Sequence, residues 1–372
     1  MPFPRPAHRP HLAVSAADPR RRGAERGRLL GPELHGAIET YDRLFALGGI
    51  APEVVRADAE RALDAVGAFR PGLREQIEGV AEGAGVEVWR IAALNARTEI
   101  LARSAAVPPG ECSTVVRRPA GAGAGSPVGV QTWDWHVELA PYWHTVASSG
   151  AAHRYVGLTE HGILAKIGVN SAGVALHFNI LGHEADGVGG ISVHVLATLV
   201  LEDAESVAHA EELVHSAPLA SSGSFLLFDT DRTVLLDLSP VGVFEAPPVR
   251  ADTYLRTNHF LTPVPAAEEK SRLYQPDSGE RYRFLRDRLA DGGPTGLDAG
   301  RAAAGVPERT AGLLVTGPGE PPVTCLPEPG APLGRRWASL ATVVLDPAAR
   351  TVQVLDGTPA ERFTRPWRQL RA

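Results

Sequence analysis

Cys112 is the residue of this chain whose position invites chemistry. It follows Pro108, Pro109, Gly110 and Glu111, a loop by composition, and it opens CSTVVRR, a run of strand-forming residues. A cysteine at the first position of a strand is held by regular structure on one side only, so its backbone N–H side faces a chain break. The alternative reading of a lone cysteine is a small buried apolar side chain. Cys325 falls in a late apolar run and reads as structural. Two cysteines so far apart, in a chain without a secretion signal, do not make a disulfide framework.

A second candidate comes from pairing. VGVQTWDW follows CSTVVRR across the Gly-rich stretch PAGAGAGSP. Antiparallel pairing of 112–118 with 128–134, centred on Gly123, sets Cys112 opposite Asp134. Loop length does not fix this register. Asp134 then either holds a cationic group beside the thiol or caps the end of a strand. Trp133 and Trp135 flank it, as a wall for an apolar substrate group or as core. Asn170 opens the turn NSAG and is a candidate for binding substrate; turn chemistry alone also accounts for it.

Other chemistries are excluded by pattern. There is no CxxC, HExxH, EF-hand loop, GxxxxGK[ST] or GxSxG; GAGAGS lies between two strands and reads as a hairpin loop rather than a phosphate cradle. The 13 histidines are scattered without ligand spacing, so no metal is expected. A net charge of −6 with no basic stripe argues against nucleic acid as a partner. No apolar run reaches the roughly 18 residues of a membrane helix. The N-terminus is basic and Pro-rich but has no apolar core segment of a signal peptide. A soluble cytoplasmic protein without membrane contact is expected.

The elements that must position Cys112 fall into two textures. Residues 1–10 read as a disordered leader. Residues 11–111 are mostly helical: a short strand at HLAVSA, then four helices between about Arg22 and Arg103. From Cys112 to the end, 112–372, strands dominate. Hairpins are expected at GILAKIGV–GVALHFNIL and SFLLFD–TVLLDLS, helices at ISVHVLATLVL, AESVAHAEELVHS (opened near Asp203) and GERYRFLRDRLA, and closing strands at VTCLP, ASLATVVLD and TVQVLDG. Hairpins outnumber strand–helix–strand crossovers, so the fold class is α+β with mainly antiparallel sheets. Both textures are expected to form one structural unit.

These residues together resemble a family. Glu111-Cys112-Ser113-Thr114, QTWDW (131–135), KIGVNSAGV (166–174), RTNHF (256–260) and DGTP (356–359), preceded by IEGVAEGAGV and ALNARTEI (93–100), are similar in kind and order to the acyl-coenzyme A:isopenicillin N (6-aminopenicillanic acid) acyltransferase family of cysteine N-terminal-nucleophile hydrolases. The similarity runs over roughly 11–360.

The resemblance implies an αββα four-layer sandwich preceded by a helical propeptide segment. It implies a precursor that cuts its own Glu111–Cys112 bond, so that Cys112 gains a free α-amine as its own base. Asp134 would orient that N-terminus, Asn258 in RTNHF would donate to an oxyanion, and Arg281 in SGERYRF would bind substrate; a turn explains Asn258 otherwise, and a solvated helix face explains Arg281. The implied activity is that of a cysteine amidohydrolase or acyltransferase. Its partners would be a small acyl amide or thioester and its own cleaved N-terminal chain; it would use no cofactor, a coenzyme A thioester being a candidate acyl donor. A non-catalytic, uncleaved ligand- or partner-binding member is the alternative. Two departures stand out. Glu111 occupies a position where the fungal acyltransferase has Gly, and Arg256 precedes TNHF where a more neutral residue is expected.

Overall fold

A computed structural model describes residues 5–104, 112–118, 126–270, 277–290, 305–328 and 330–372. Glu111 and the Gly-rich stretch at 119–125 lie outside the described residues.

Fourteen strands are described, in two sheets. The first holds β1 (His11–Val14), β4 (Trp143–Ser148), β5 (Tyr155–Glu160), β6 (Ile167–Asn170), β7 (Ala175–Ile180), β8 (Gly223–Phe228), β9 (Thr233–Ser239) and β10 (Gly242–Ala246), in that spatial order. The second runs β11 (Thr253–Arg256), β2 (Cys112–Arg117), β3 (Val128–His136), β12 (Trp337–Asp346), β13 (Thr351–Leu355) and β14 (Trp367–Arg371). Every pairing except β1 with β4 is antiparallel.

The sheets pack face to face: Asn179 and His177 of β7 reach across to Thr114 of β2 and Gln131 of β3. Strand alternation sorts the residues. Val116 and Trp133 join the core between the sheets, whereas Val115 and Val130 join a second apolar cluster with Leu255 and Leu285 of the helix Ser278–Ala290. Helices α7 (Val193–Asp203) and α8 (Val207–Ser216) cover the eight-stranded sheet on its other side. The result is the four-layer α+β sandwich expected from the sequence.

The N-terminal half carries six helices rather than four: α1 (Pro19–Leu30), α2 (Pro32–Leu47), α3 (Pro52–Phe69), α4 (Pro71–Ala84), α5 (Val88–Asn95) and α6 (Arg97–Leu101). The apolar periodicity of LLGPELHG runs through a break it cannot register. Gly31 sits at φ 51 and Pro32 starts the next helix, where its missing N–H costs nothing. Helix α1 packs on α4 with almost no separation. A Cβ at Gly23 or Gly79 would run into the backbone of the other helix, so these glycines serve a close approach.

Other corrections follow local chemistry. Helix α8, expected to open at or near Asp203, is capped three residues later by Ser206, which accepts from the His209 amide at 3.1 Å. VTCLP is not a strand; two prolines before it and one within remove ladder donors, and Cys325 is bonded to Ser339 of β12 by its N–H (3.1 Å) and its carbonyl (3.0 Å). The sequence reading did not single out β4, β5 and β14. Residues 5–10, expected within a leader, are tied down: Arg5 pairs with Glu361 at 3.1 Å, and Arg9 pairs with Asp356 at 3.0 Å while stacking on Trp143.

The N-terminal helices are joined to the strand-rich half by buried polar contacts. Glu202, at the end of α7, accepts two hydrogen bonds from Gln76 Nε2 at 3.1 Å and lies 3.7 Å from Arg22. Burial pushes its carboxyl up to about 7 despite Arg22. An acid whose folded pKa lies above its unfolded value near 4.5 costs stability as pH rises between the two, because the unfolded chain releases the proton first. Glu202→Gln is therefore expected to gain in melting temperature relative to wild type between pH 5 and pH 8. A constant difference across that range would refute the assignment.

Candidate active site

Cys112 begins β2 and is 4% exposed. Its partner on β3 is Trp133, not Asp134: the hairpin pairs Cys112 with Trp133, Ser113 with Thr132 and Thr114 with Gln131. The expected register is thus wrong by one residue. The reason is physical. A one-residue slip exchanges the two faces of a strand, and the faces are fixed here by Trp133 and Trp135 in the core between the sheets. Alternation then puts the Asp134 side chain on the other face from Cys112, beside Thr132, whose hydroxyl donates to Asp134 Oδ2 at 3.2 Å. Asp134 still meets the thiol, through its backbone amide and through its charge.

Three side chains from three other segments converge on the Cys112 backbone. Its N–H donates to Asn258 Oδ1 at 2.8 Å. Its carbonyl accepts from Asn179 Nδ2 of β7 at 3.2 Å and from Arg281 Nη1 at 3.1 Å. Arg281 also donates to Ser113 Oγ at 3.0 Å and to Asn258 Oδ1 at 3.2 Å, and it is paired with Asp277 at 3.2 Å. Asn179 is fixed in turn by the Thr114 hydroxyl, which donates to its Oδ1 at 2.8 Å.

The amide orientation of Asn258 follows from its neighbours. The Cys112 N–H and the guanidinium are both donors, so the atom between them must be the oxygen. Its Nδ2 donates to the Ile180 carbonyl at 2.9 Å. Asn258 therefore offers Cys112 an acceptor, whereas the expected oxyanion role calls for a donor. RTNHF is anchored from below by Ser278, which accepts from the Asn258 amide at 2.7 Å. Arg256 is explained by its contacts: it pairs with Asp237, whose other oxygen accepts from the amides of Leu261 and Thr262 at 2.9 Å, and so it braces this loop.

The thiol environment is mixed. Burial, then the Asp134 carboxylate, push the Cys112 thiol up to about 12, while Lys166 and Arg281 pull it down. Lys166 Nζ lies 4.6 Å above the Trp133 ring, on the residue opposite Cys112. Trp135 is tied into the core, donating through Nε1 to the Tyr41 hydroxyl at 3.0 Å with Arg97 stacked on its ring.

The structure thus brings Cys112, Asp134, Trp133, Asn258 and Arg281 together. Asn170 is elsewhere: its Oδ1 accepts from the amides of Ala172 and Val174 and its Nδ2 donates to Ala204, so its amide is used up in the turn. Arg281 is fully buried rather than on a solvated face. Sequence reading missed Asn179, Gln131 and Lys166. Gln131 Oε1 accepts from the Phe178 amide at 3.2 Å and holds β7 against β3.

Known proteins match this chain in sequence, and solved structures give looser matches. The family described as acyl-coenzyme A:6-aminopenicillanic acid acyl-transferase matches residues 122–295. The 40 kDa form of acyl-coenzyme A:6-aminopenicillanic-acid-acyltransferase from Emericella nidulans is 30% identical over 256 residues, 66% of this chain and 69% of that protein. Among solved structures, penicillin V acylase from Agrobacterium tumefaciens is 13% identical and covers 70% of this chain and 86% of its own, with a TM-score of 0.40. A mutant of conjugated bile acid hydrolase from Clostridium perfringens is 10% identical over 70% of this chain and 92% of its own, with a TM-score of 0.42. With the sequence identity and extent of the fungal relative, the chain belongs to the acyl-coenzyme A:6-aminopenicillanic acid acyltransferase family.

Proposed function

We propose that this chain is a self-cleaving cysteine amidohydrolase or acyltransferase whose nucleophile is Cys112. The observation that carries the reading is the cradle around the Cys112 backbone. An ordinary strand residue hands its N–H and carbonyl to neighbouring strands; here Asn258, Asn179 and Arg281 take them. Three buried side chains spent on one residue's main chain fit a residue whose N–H becomes a chain terminus.

In the self-cut, Cys112 Sγ attacks the carbonyl carbon of Glu111 and its proton passes to the departing Cys112 nitrogen. The C–N bond breaks and leaves a thioester between Glu111 and Cys112. Water then releases the Glu111 carboxylate and the thiol. The nitrogen is now an α-amine, with an ordinary pKa of about 7.7–8.0, so it can take the thiol proton at neutral pH. In turnover the thiolate attacks the acyl carbon of an amide or thioester, the leaving amine or thiol departs with a proton, and the acyl-enzyme passes its acyl group to water or to an amine. A coenzyme A thioester is one donor this route accepts. The N-terminal chain stays in place after the cut through Glu202, Glu160 and Tyr155, which bond Gln76, Arg97 and Arg26.

Brief iodoacetamide treatment with mass-spectrometric mapping tests the assignment. Cys112 of the cut enzyme, beside its own amine, is expected to be alkylated well ahead of Cys325, and the two fragments to co-purify without denaturant. Equal labelling, or labelling mainly at Cys325, would contradict the proposal.

A further inference from the structure

Three charged side chains meet in the core beside the Cys112 site. Glu160 Oε1, at the end of β5, accepts from Lys166 Nζ at 2.8 Å and from Arg97 Nη2 of α6 at 2.6 Å. Its Oε2 accepts from the Tyr41 hydroxyl of α2. Glu160 and Arg97 are about 1% exposed and Lys166 about 2%. The cations are roofed by rings: Lys166 lies over Trp133, and Arg97 lies 4.2 Å from the centre of Trp135.

The charge balance is uneven. One carboxylate serves two cations, and the Tyr41 hydroxyl adds no charge. Among the described residues, the groups facing this cluster from other elements do not supply an anion next to Lys166. His136 of β3 and His194 of α7 are kept neutral by burial. Glu99 of α6 faces Arg97 rather than Lys166; burial pushes it up to about 7, and it accepts from the Ser221 hydroxyl. Asp134 projects from β3 on the face opposite Trp133. A buried cation that shares its one carboxylate with a second cation is only partly compensated, and this favours a negative charge that forms beside it. The Cys112 thiol, on the residue opposite Trp133, is within its electrostatic reach.

We propose that Lys166 is the cation against which the Cys112 thiolate forms, and that Arg97, on the N-terminal side of the cleavage point, sustains it through their shared carboxylate Glu160. The N-terminal chain then remains part of the working centre after the cut. The proposal rests on Cys112 being the nucleophile. Lys166 and Arg97 act as positioning residues: they set the proton affinity of the thiol without touching the acyl group. Burial of Lys166 lowers its own pKa to about 8, so the charge it lends falls away in the mildly alkaline range.

The test is the pH dependence of Cys112 alkylation by iodoacetamide, mapped by mass spectrometry in the full two-chain protein with Cys325 as internal reference. Lys166→Met keeps the stacking on Trp133 and removes the charge. It is expected to slow Cys112 labelling about tenfold at neutral pH and to move the midpoint about one unit upward, with the rate recovered at higher pH. Lys166→Arg should stay within a few-fold of wild type. Lys166→Gln and Arg97→Met should shift the midpoint in the same direction as Lys166→Met, and whichever of the three neutral variants folds decides the matter. A folded neutral variant with the wild-type profile overturns the proposal, as does one that stays uncut at every pH. A variant uncut at neutral pH but cut at alkaline pH supports it. Wild-type protein that does not label preferentially at Cys112 overturns the nucleophile assignment instead.

Discussion

Cys112→Ala is expected to give one chain of 39.4 kDa on a denaturing gel, where wild type gives two. A cut before Cys112 divides the 372 residues into 111 and 261, about 12 and about 28 kDa when the mass is apportioned by length. The self-cut has one attacking atom. Cys112 Sγ belongs to the residue whose N–H is the leaving group, so attacking and leaving atoms are joined through two carbons and need no diffusion to meet. The side chains around the Cys112 backbone — Asn258, Asn179 and Arg281 — position and carry no nucleophile. Removing one buried sulfur leaves their contacts to the main chain intact, so the variant should fold and melt near the wild-type temperature. Acyl transfer should fall to background with the cut, since both steps use the same sulfur. Cys112→Ser should cut more slowly, a hydroxyl being the weaker nucleophile. Intact-mass measurement after long incubation at neutral pH reads the outcome. Wild-type protein that remains whole, or Cys112→Ala cut as fast as wild type, would sink the assignment.

What the sequence made legible, and what it hid, divides along a physical line. Local chemistry was readable: the strand that starts at Cys112, the NSAG turn and the alternation within each hairpin all depend on near neighbours, while the loop expected at Pro108–Gly110 lies outside the described residues. The site residues contributed by distant segments were not. Asn179 sits in HFNI, where His177 and Asn179 alternate with Phe178 and Ile180. Such a pattern ordinarily marks a strand with one wet face. Here the polar face is turned to the other sheet and is spent on Thr114, Gln131 and Cys112. Arg281 was ambiguous for the same reason. An Arg four residues after an Asp on a charged helix looks solvated, and only tertiary placement buries it. Arg97 and Lys166 carried no local sign of partnership, because the carboxylate that joins them lies on a strand the sequence did not single out. The register of the first hairpin failed by one residue because the deciding force, the burial of Trp133 and Trp135, acts from outside the hairpin.

Asn258 separates two roles that the sequence could not. If it holds the Cys112 nitrogen, as its Oδ1 does here, its service is to aim the amine at the thiol. If it donates to an oxyanion, its amide must turn and abandon the Ile180 carbonyl. Asn258→Ala removes either service, and a misaimed catalytic group costs about 10²-fold in kcat, so a loss of that size with KM changed only a few-fold is expected from both. Asn258→Asp tells them apart. A carboxylate still accepts from the nitrogen and from Arg281, and its negative charge beside the α-amine favours the protonated amine. The amine pKa then rises, the neutral base appears only at higher pH, and the activity profile should move to alkaline pH while exceeding that of Asn258→Ala there. An oxyanion donor replaced by a carboxylate would behave in the opposite way, because the new charge repels the one that develops in the transition state. Steady-state kinetics against pH, on folded and fully cut protein, decides between them. Asn258→Asp less active than Asn258→Ala at every pH would return Asn258 to the oxyanion, and near-wild-type kcat in Asn258→Ala would leave it a loop residue with no part in catalysis.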